Sequence, residues 1–226
     1  VGTSHSGTAA TVALSQMAQE LGAAGVMVTP SKEASGNWDD ALLVLYSRVA
    51  AGCPGLPIVL QDHPGSTQVH MPVPLLAKIV AEVPSVGCIK LESLPTPAKI
   101  AALRAAWAKA PPAQECTILT GLGALYAGYD MEQGTQGFMT GFAFPEVLKA
   151  MNGAAQAGDL ATAHALYQRF LPLMVFEQQP GVAVRKELYR LRGLIDSNTV
   201  RHPANPIAPA LSTALQAALA RALPGI

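Results

Sequence analysis

Residues 56–96, LPIVLQDHPGSTQVHMPVPLLAKIVAEVPSVGCIKLESLPT, are the part of the chain from which its fold can be inferred. Two short apolar runs, 58–60 and 86–89, each end abruptly in polar residues, and the segment from Pro74 to Glu82 between them is amphipathic. Short apolar runs with polar ends are typical of buried strands, and an amphipathic segment of this length is typical of a helix. The stretch therefore predicts a strand, a helix and a second strand.

The second apolar run ends in Lys90, which is the strongest chemical feature of the sequence. Burial at a strand end disfavours an ammonium, and an amine that is partly withdrawn from water suits attack on a carbonyl to form a Schiff base. A structural interpretation is also open, in which Lys90 is ion-paired with Glu92 or points outward from the strand end. The residues alone do not decide between the two.

The same alternation of strands and helices continues on both sides of this stretch. Apolar residues at helical spacing predict a helix over 9–21, ended by Gly22, and the short apolar run 25–28 predicts a strand. The polar segment 31–37 is predicted to be a loop, and a helix follows it to residue 51. Further elements are expected to begin at Thr96 (helix), Thr117 (strand), Leu122 (helix) and Phe138 (strand). Alternating elements of this kind predict a parallel sheet with helices outside it.

After Phe144 the strand patterns stop and the chain is predicted to be helical. The expected helices cover 145–157, 160–175, 182–191 and 209–223, with Gly- and Pro-containing segments between them.

Composition excludes several classes of function. The 226 residues are 50% hydrophobic, with mean hydropathy +0.28, which is enough for a large core. Fifteen basic and fifteen acidic residues give zero net charge, so neither nucleic acid nor a membrane is an expected partner. No apolar run is long enough to span a membrane, and no export signal begins the chain. Cys53, Cys88 and Cys116 lack metal-ligand spacing, so we expect reduced thiols in a cytoplasmic protein.

Several motifs, in order along the chain, resemble one family. PIVLQDHPGST (57–67) followed by VGCIKLE (86–92) resembles the dihydrodipicolinate synthase / N-acetylneuraminate lyase family of class I aldolases. ILTG (118–121) and QGFMTG (136–141) are similar to the seventh and eighth strands of that family. AAQAGDLATAHALYQRFLPLM (154–174) and VRKELYRLRGLID (184–196) are similar to its C-terminal helices.

The resemblance implies an α/β fold, a (β/α)8 TIM-type barrel with C-terminal helices. We expect the given chain to begin at the end of the third barrel strand, so that the first two to three strands are lacking. The barrel is then expected over 1–158 and a helical extension over 159–226. The family also implies a homo-oligomer, a dimer or a tetramer.

The resemblance assigns the Schiff-base lysine to Lys90, which would react with pyruvate or a related 2-oxo acid. The imine is itself the electron sink, so neither a cofactor nor a metal is implied. Where the family has a tyrosine that relays protons, this chain has Gln61, which cannot titrate. Asp62 and His63 are the adjacent candidates for that role, and only one of Gln61 and Asp62 can face the lysine in a regular strand.

Further candidates would contact the substrate. Ser66 stands where dihydrodipicolinate synthases have a carboxylate-binding arginine, which disfavours lysine biosynthesis and permits a sugar-acid aldolase or dehydratase. Gly121 and Met139 align with positions that line the family's pocket, and His5 lies at the same rim. The alternative from another class is a family member that has lost catalysis and serves as a small-molecule-binding or interaction protein.

Overall fold

The computed structural model describes residues 1–31, 38–178 and 181–223, and the chain divides into two compact units. The first unit consists of Val1–Thr120 and Gln133–Gln136, and the second of Gly121–Glu132 and Gly137–Ile226. The predicted division into 1–158 and 159–226 stays a prediction.

Strands and helices alternate along the first unit, as predicted. Its elements are α1 (Thr8–Glu20), β1 (Val26–Val28), α2 (Trp38–Gly52), β2 (Ile58–Asp62), α3 (Pro64–Thr67), α4 (Val73–Glu82), β3 (Val86–Leu91), α5 (Thr96–Lys109) and β4 (Thr117–Thr120). The four strands are parallel and lie side by side in chain order, and Gly2 adds an isolated parallel bridge to Met27. The predicted parallel sheet with helices is confirmed, while most of the predicted loop 31–37 lies outside the described residues.

One face of this sheet carries the core of the first unit. Alternate strand residues such as Val28, Leu60 and Ile89 are fully buried and join a cluster with residues of α2, α4 and α5. The residues between them, among them Val59 and Lys90, are only partly buried. Because successive side chains of a strand point to opposite faces, this alternation separates a helix-covered face from a second face that carries Lys90.

An irregularity in the pairing of β2 with β3 sets the position of Lys90. Ile58 pairs with Val86 but Val59 pairs with Cys88, so Gly87 is an extra residue in β3. A bulge of this kind moves the following residues by one position along the partner strand. As a result Lys90 lies beside Gln61, whereas regular pairing would have placed it beside Asp62.

The three cysteines are free thiols within the first unit. Cys53 and Cys116 are buried and Cys88 is partly buried. Burial raises the pKa of Cys88 to about 11 and that of Cys116 to about 12, so both behave as small core residues.

The second unit is mainly helical. It contains a 3-10 turn (Leu122–Ala124), α6 (Ala127–Glu132), β5 (Gly137–Phe138), α7 (Pro145–Gln156), α8 (Leu160–Phe176), α9 (Val182–Leu191) and α10 (Pro209–Ala222). α8 packs against α6, α7 and α10, around a second buried cluster that includes Phe144 and Phe170, whose ring centroids are 5.5 Å apart. The four predicted C-terminal helices are confirmed within one or two residues at their ends.

The prediction that a helix begins at Leu122 is wrong. Leu122, Gly123 and Ala124 have φ values of 51°, 67° and 61°, so the backbone is left-handed where a helix was expected. The α-helix begins only at Ala127. Apolar spacing could not reveal this left-handed turn, because spacing reports burial and not φ. A hydrogen bond of 2.8 Å from the Gly123 N–H to Thr140 Oγ1 stabilises the turn.

Candidate active site

Lys90 and Glu92 form an ion pair at the carboxyl end of β3. Lys90 Nζ lies 3.2 Å from Glu92 Oε2, and the two side chains are 14% and 8% exposed. They are two residues apart in an extended segment, which brings them to the same side. The Glu92 N–H donates to the Asp62 carbonyl oxygen at 2.8 Å, and this hydrogen bond fixes the backbone of Glu92 just beyond the end of β3. An amine and a proton acceptor are thus held together in a site with little access for water.

Two further side chains extend this pair across neighbouring strands. Gln61 Nε2 donates to Glu92 Oε2 at 2.6 Å, and Thr29 Oγ1 donates to Gln61 Oε1 at 2.8 Å. Thr29 follows β1, Gln61 lies in β2 and Lys90 in β3, so three adjacent parallel strands contribute at the same edge. Gln61 therefore belongs to the site as a hydrogen-bonding residue, with no proton of its own to transfer.

Asp62 lies on the other face of the sheet. Its side chain is fully buried, and its Oδ2 accepts from Lys99 Nζ of α5 at 2.5 Å. Burial raises the pKa of Asp62, while Lys99 acts to lower it. Tyr46, also fully buried, donates to the Val28 carbonyl at 3.0 Å, and its pKa is raised first by burial and then by the charge of Asp62. Gln61, and not Asp62, therefore lies on the same face of the sheet as Lys90.

His63 and Ser66 lie at the turn after β2, and their roles stay predictions. His63 Nδ1 is 2.5 Å from Ser66 Oγ, and α3, a single helical turn, holds the two together. Ser66 also donates to the His63 carbonyl at 3.2 Å. The structure therefore brings these two predicted residues into contact with each other.

Gly121 and Met139 belong to the second unit. Gly121 is buried, and its carbonyl accepts from the Ala124 N–H at 2.9 Å in the turn that begins α6. Met139 is partly buried and follows β5. Their assignment to a substrate pocket stays a prediction.

Sequence reasoning did not include Thr29 or Lys99, and it treated Glu92 only as a possible partner of Lys90. Strand alternation could have indicated Glu92 as a site residue, because a residue two positions after Lys90 lies on the same side of the strand. Thr29 was indicated more weakly, by its position as a polar residue directly after β1. Lys99 gave no signal, since a lysine in the first turn of a helix is ordinarily solvated.

The fold and the site together define a class of protein. Parallel strands alternate with helices, and a shielded lysine stands at the carboxyl end of a strand beside a carboxylate, which is the edge where β/α enzymes bind their substrates. This arrangement is typical of a β/α enzyme that places its functional side chains at the carboxyl edge of the sheet.

Comparison with known proteins gives the family. The chain belongs to the Dihydrodipicolinate synthetase family, whose model matches residues 1–222. It is 34% identical over 212 residues to L-2-keto-3-deoxyarabonate dehydratase of Azospirillum brasilense, a match that covers 92% of this chain and 67% of that protein. It is 31% identical over 226 residues to 4-hydroxy-tetrahydrodipicolinate synthase of Kineococcus radiotolerans, covering 95% and 67%.

A solved structure agrees with these relatives. The crystal structure of dihydrodipicolinate synthase from Rhodopseudomonas palustris superposes with a TM-score of 0.88 at 32% identity, covering 98% of this chain and 73% of that one. The family predicted from the motifs is confirmed, and so is the enzyme class, an aldolase-type lyase of this family.

In the part of the chain that the structure describes, none of the helices combines the length and the apolar character needed to cross a membrane.

Proposed function

We propose that this chain is a Schiff-base-dependent lyase in which Lys90 forms an imine with pyruvate or a related 2-oxo acid. The observation that carries the proposal is the position of Lys90 at the carboxyl end of β3, 14% exposed and 3.2 Å from the carboxylate of Glu92. The ion pair by itself also agrees with the structural interpretation, so what favours catalysis is the place of the pair at the carboxyl end of a parallel strand in a chain of this family.

Glu92 has the geometry to prepare the amine. Attack requires the neutral amine, and the carboxylate is the proton acceptor beside the ammonium. After transfer of that proton, the Lys90 lone pair forms a bond to C2 of the 2-oxo acid, and loss of the carbonyl oxygen as water leaves the protonated imine. Gln61 donates to the same oxygen of Glu92, so it orients the carboxylate for this transfer.

The protonated imine supports more than one reaction of the family. It withdraws electrons from C2, so a proton at C3 can be removed to give an enamine. The enamine can then expel a hydroxyl group from the next carbon, which is dehydration, or form a bond to an aldehyde, which is aldol addition. Because Ser66 cannot make the two-point contact that an arginine makes with a carboxylate, we propose a sugar-acid dehydratase or aldolase rather than a synthase for lysine biosynthesis. The dehydratase among the named relatives supports this choice.

The family match and the similar crystal structure support a proposal about the fold. We propose a (β/α)8 barrel, with a helical extension over 159–226. We also propose that the protein works as a homo-oligomer, a dimer or a tetramer.

Borohydride trapping tests the proposal directly. The protein is incubated with pyruvate, reduced with borohydride and analysed by intact mass and peptide mapping. We expect one pyruvyl adduct on the peptide that contains Lys90, and we expect Lys90→Ala to abolish both the adduct and turnover of 2-oxo acids, by about a thousandfold or more.

Lys78 provides the matched control, since it is an exposed lysine on α4. Lys78→Ala should retain the adduct and the activity. If a folded protein gives no adduct with pyruvate or with a panel of longer 2-oxo acids, the lyase proposal is wrong and the binding-protein alternative is favoured.

A further inference from the structure

The connection between β3 and α5 carries the proton acceptor of the site. β3 ends at Leu91 and α5 begins at Thr96, so the connection consists of residues 92–95 and Glu92 is its first residue. Glu92 and Ser93 are both buried. Because the connection is short, the position of Glu92 depends on what holds the end of β3 and the first turn of α5.

Asp62, at the end of β2, is joined to both ends of this connection. Its main-chain carbonyl accepts the Glu92 N–H at 2.8 Å, and its side-chain Oδ2 accepts from Lys99 Nζ at 2.5 Å. Lys99 lies in the first turn of α5, where its own N–H donates to the Pro95 carbonyl at 3.2 Å. One residue of β2 thus holds the start of the connection by its main chain and the following helix by its side chain.

Burial makes the side-chain link a demanding one. Asp62 is fully buried and Lys99 is 14% exposed. Asp62 Oδ1 has no hydrogen-bond partner among the described residues, so the orientation of the carboxylate depends on the bond from Lys99 to Oδ2. Two apolar side chains of similar volume would attach a helix to a strand without removing charges from water. A charge-assisted hydrogen bond adds a fixed geometry, which points to a need for one defined position of α5.

The link reaches the reacting groups through Glu92. Gln61, the residue before Asp62, lies on the opposite face and donates to Glu92 Oε2 at 2.6 Å. The same oxygen is 3.2 Å from Lys90 Nζ. Two consecutive residues of β2 therefore hold Glu92, one by its main chain and one by its carboxylate. A shift of α5 against β2 would move the main chain of Glu92, and proton transfer tolerates little displacement of the acceptor.

We propose that Asp62 and Lys99 are positioning residues for the reaction at Lys90. The link that they form on the helix-covered face holds Glu92 at proton-transfer distance from the amine, and neither side chain touches the substrate. The inference rests on the proposed function, because it takes Lys90 as the nucleophile. It gives Asp62 an indirect role in place of the proton relay considered from the sequence.

The experiment breaks the link without leaving a lone buried charge. Asp62→Asn combined with Lys99→Met removes both charges and keeps the main-chain carbonyl of residue 62. Imine formation at a series of pyruvate concentrations is quenched with borohydride, which gives a maximum rate and a half-saturating concentration. The amount of adduct at saturation gives the concentration of folded sites, so unfolded protein does not count as a slow enzyme. We expect the maximum rate to fall about tenfold and the half-saturating concentration to change less than about twofold.

Glu92→Gln tests whether the link acts through the carboxylate. The same double substitution, made in the Glu92→Gln protein, should lower the maximum rate by less than about twofold, because the acceptor that it positions is already lost.

Asp62→Asn alone is the milder variant. It keeps an oxygen to which Lys99 can donate, so it should fold and lower the maximum rate about threefold, again only in the presence of Glu92. Lys109→Met, at an exposed position at the other end of α5, is the matched control and should leave the rate unchanged.

The two proposals fail in different ways. If the native protein gives no adduct on Lys90, the proposed function is wrong and the inference fails with it. If the native protein forms the adduct but the folded variants keep its maximum rate, the inference alone is wrong. The inference is equally overturned if the substitutions lower the rate by the same factor in the native and the Glu92→Gln proteins, since the pair then does not act through Glu92.

Discussion

At the scale of single residues, the function proposed for Lys90 depends on Glu92. Lys90 and Gln61 contact the same carboxylate oxygen, at 3.2 Å and 2.6 Å, so one atom is both the counter-charge of the amine and the acceptor of an amide hydrogen. We predict that Glu92→Gln lowers kcat by about 10²–10⁴, because the amide keeps the size of the side chain but cannot accept a proton from the amine. Measurement of kcat together with the rate of imine trapping checks this.

Gln61→Leu is the informative comparison for that variant. It removes the orienting hydrogen bond while leaving the carboxylate, so we expect a smaller loss of kcat than in Glu92→Gln. Equal trapping rates in the native protein and in Glu92→Gln, across neutral pH, would show that the carboxylate takes no part in preparing the amine.

Part of this site could be predicted from the sequence, namely the residues whose positions follow from the alternation of side chains along a strand. The lysine, and its pairing with Glu92 as one of two interpretations, followed from their place at the end of an apolar strand. The rule that only one of Gln61 and Asp62 can face the lysine also follows from alternation, but which of the two does so depends on the extra residue Gly87 in β3. Gly87 carried a weak signal, because a glycine inside a strand often marks a bulge, but the sequence alone does not show whether the pairing shifts there.

At the scale of elements, Asp62 and Lys99 join β2 to α5. Asp62 Oδ2 accepts from Lys99, while Asp62 Oδ1 has no hydrogen-bond partner among the described residues. Removal of one partner from a buried pair leaves an uncompensated charge. We predict that Lys99→Met lowers the free energy of unfolding at neutral pH by about 3–5 kcal/mol, as measured by urea denaturation.

The double variant Asp62→Asn with Lys99→Met separates charge from packing. It should be less destabilised than the sum of the two single variants, because the lone buried charge is gone. Lys149→Met, on the exposed side of α7, is the control and should change stability by about 0.5 kcal/mol or less. If Lys99→Met is as stable as this control, the buried pair does not hold β2 to α5.

Glu177 links the end of α8 to α9 and gives the second unit a dependence on pH. Its side chain is 1% exposed, Oε1 accepts the Ala143 N–H at 3.0 Å, and Oε2 accepts from Arg185 at 3.2 Å. Burial raises the pKa of Glu177 from 4.5 to about 7, against the opposing effects of these two donors. The folded state therefore holds a proton on Glu177 over a pH range in which the unfolded chain has released it.

From this shift we predict that stability falls as pH rises from about 4.5 through about 7, by up to about 3 kcal/mol. Urea denaturation at several pH values should show this slope in the native protein and lose it in Glu177→Gln. Glu187→Gln is the control, because the pKa of Glu187 is lowered to about 2, chiefly by Arg190, and that residue stays ionised throughout the range. A native slope that persists unchanged in Glu177→Gln would contradict the assignment.

At the scale of the whole molecule, the order and type of the elements could be predicted from the sequence, because apolar spacing reports directly which residues are buried. The parallel sheet, the helices around it and the later helical region all followed from that spacing. The division into two compact units did not, since it depends on which side chains share a core. Leu76 and Ile89 belong to one buried cluster, and Met151 and Leu173 belong to another.

We predict that these two cores open independently. Leu76 and Leu173 are both fully buried, one in each cluster, so Leu76→Ala and Leu173→Ala should each cost about 2–5 kcal/mol through the cavity they leave. Hydrogen exchange followed by mass spectrometry should show faster exchange mainly in 1–120 for the first variant and mainly in 137–223 for the second, because local opening follows cooperative units. Leu21→Ala, at a side chain that is 82% exposed, is the control and should leave exchange unchanged. Faster exchange of equal size in both regions for both variants would show that the two clusters unfold as one cooperative unit.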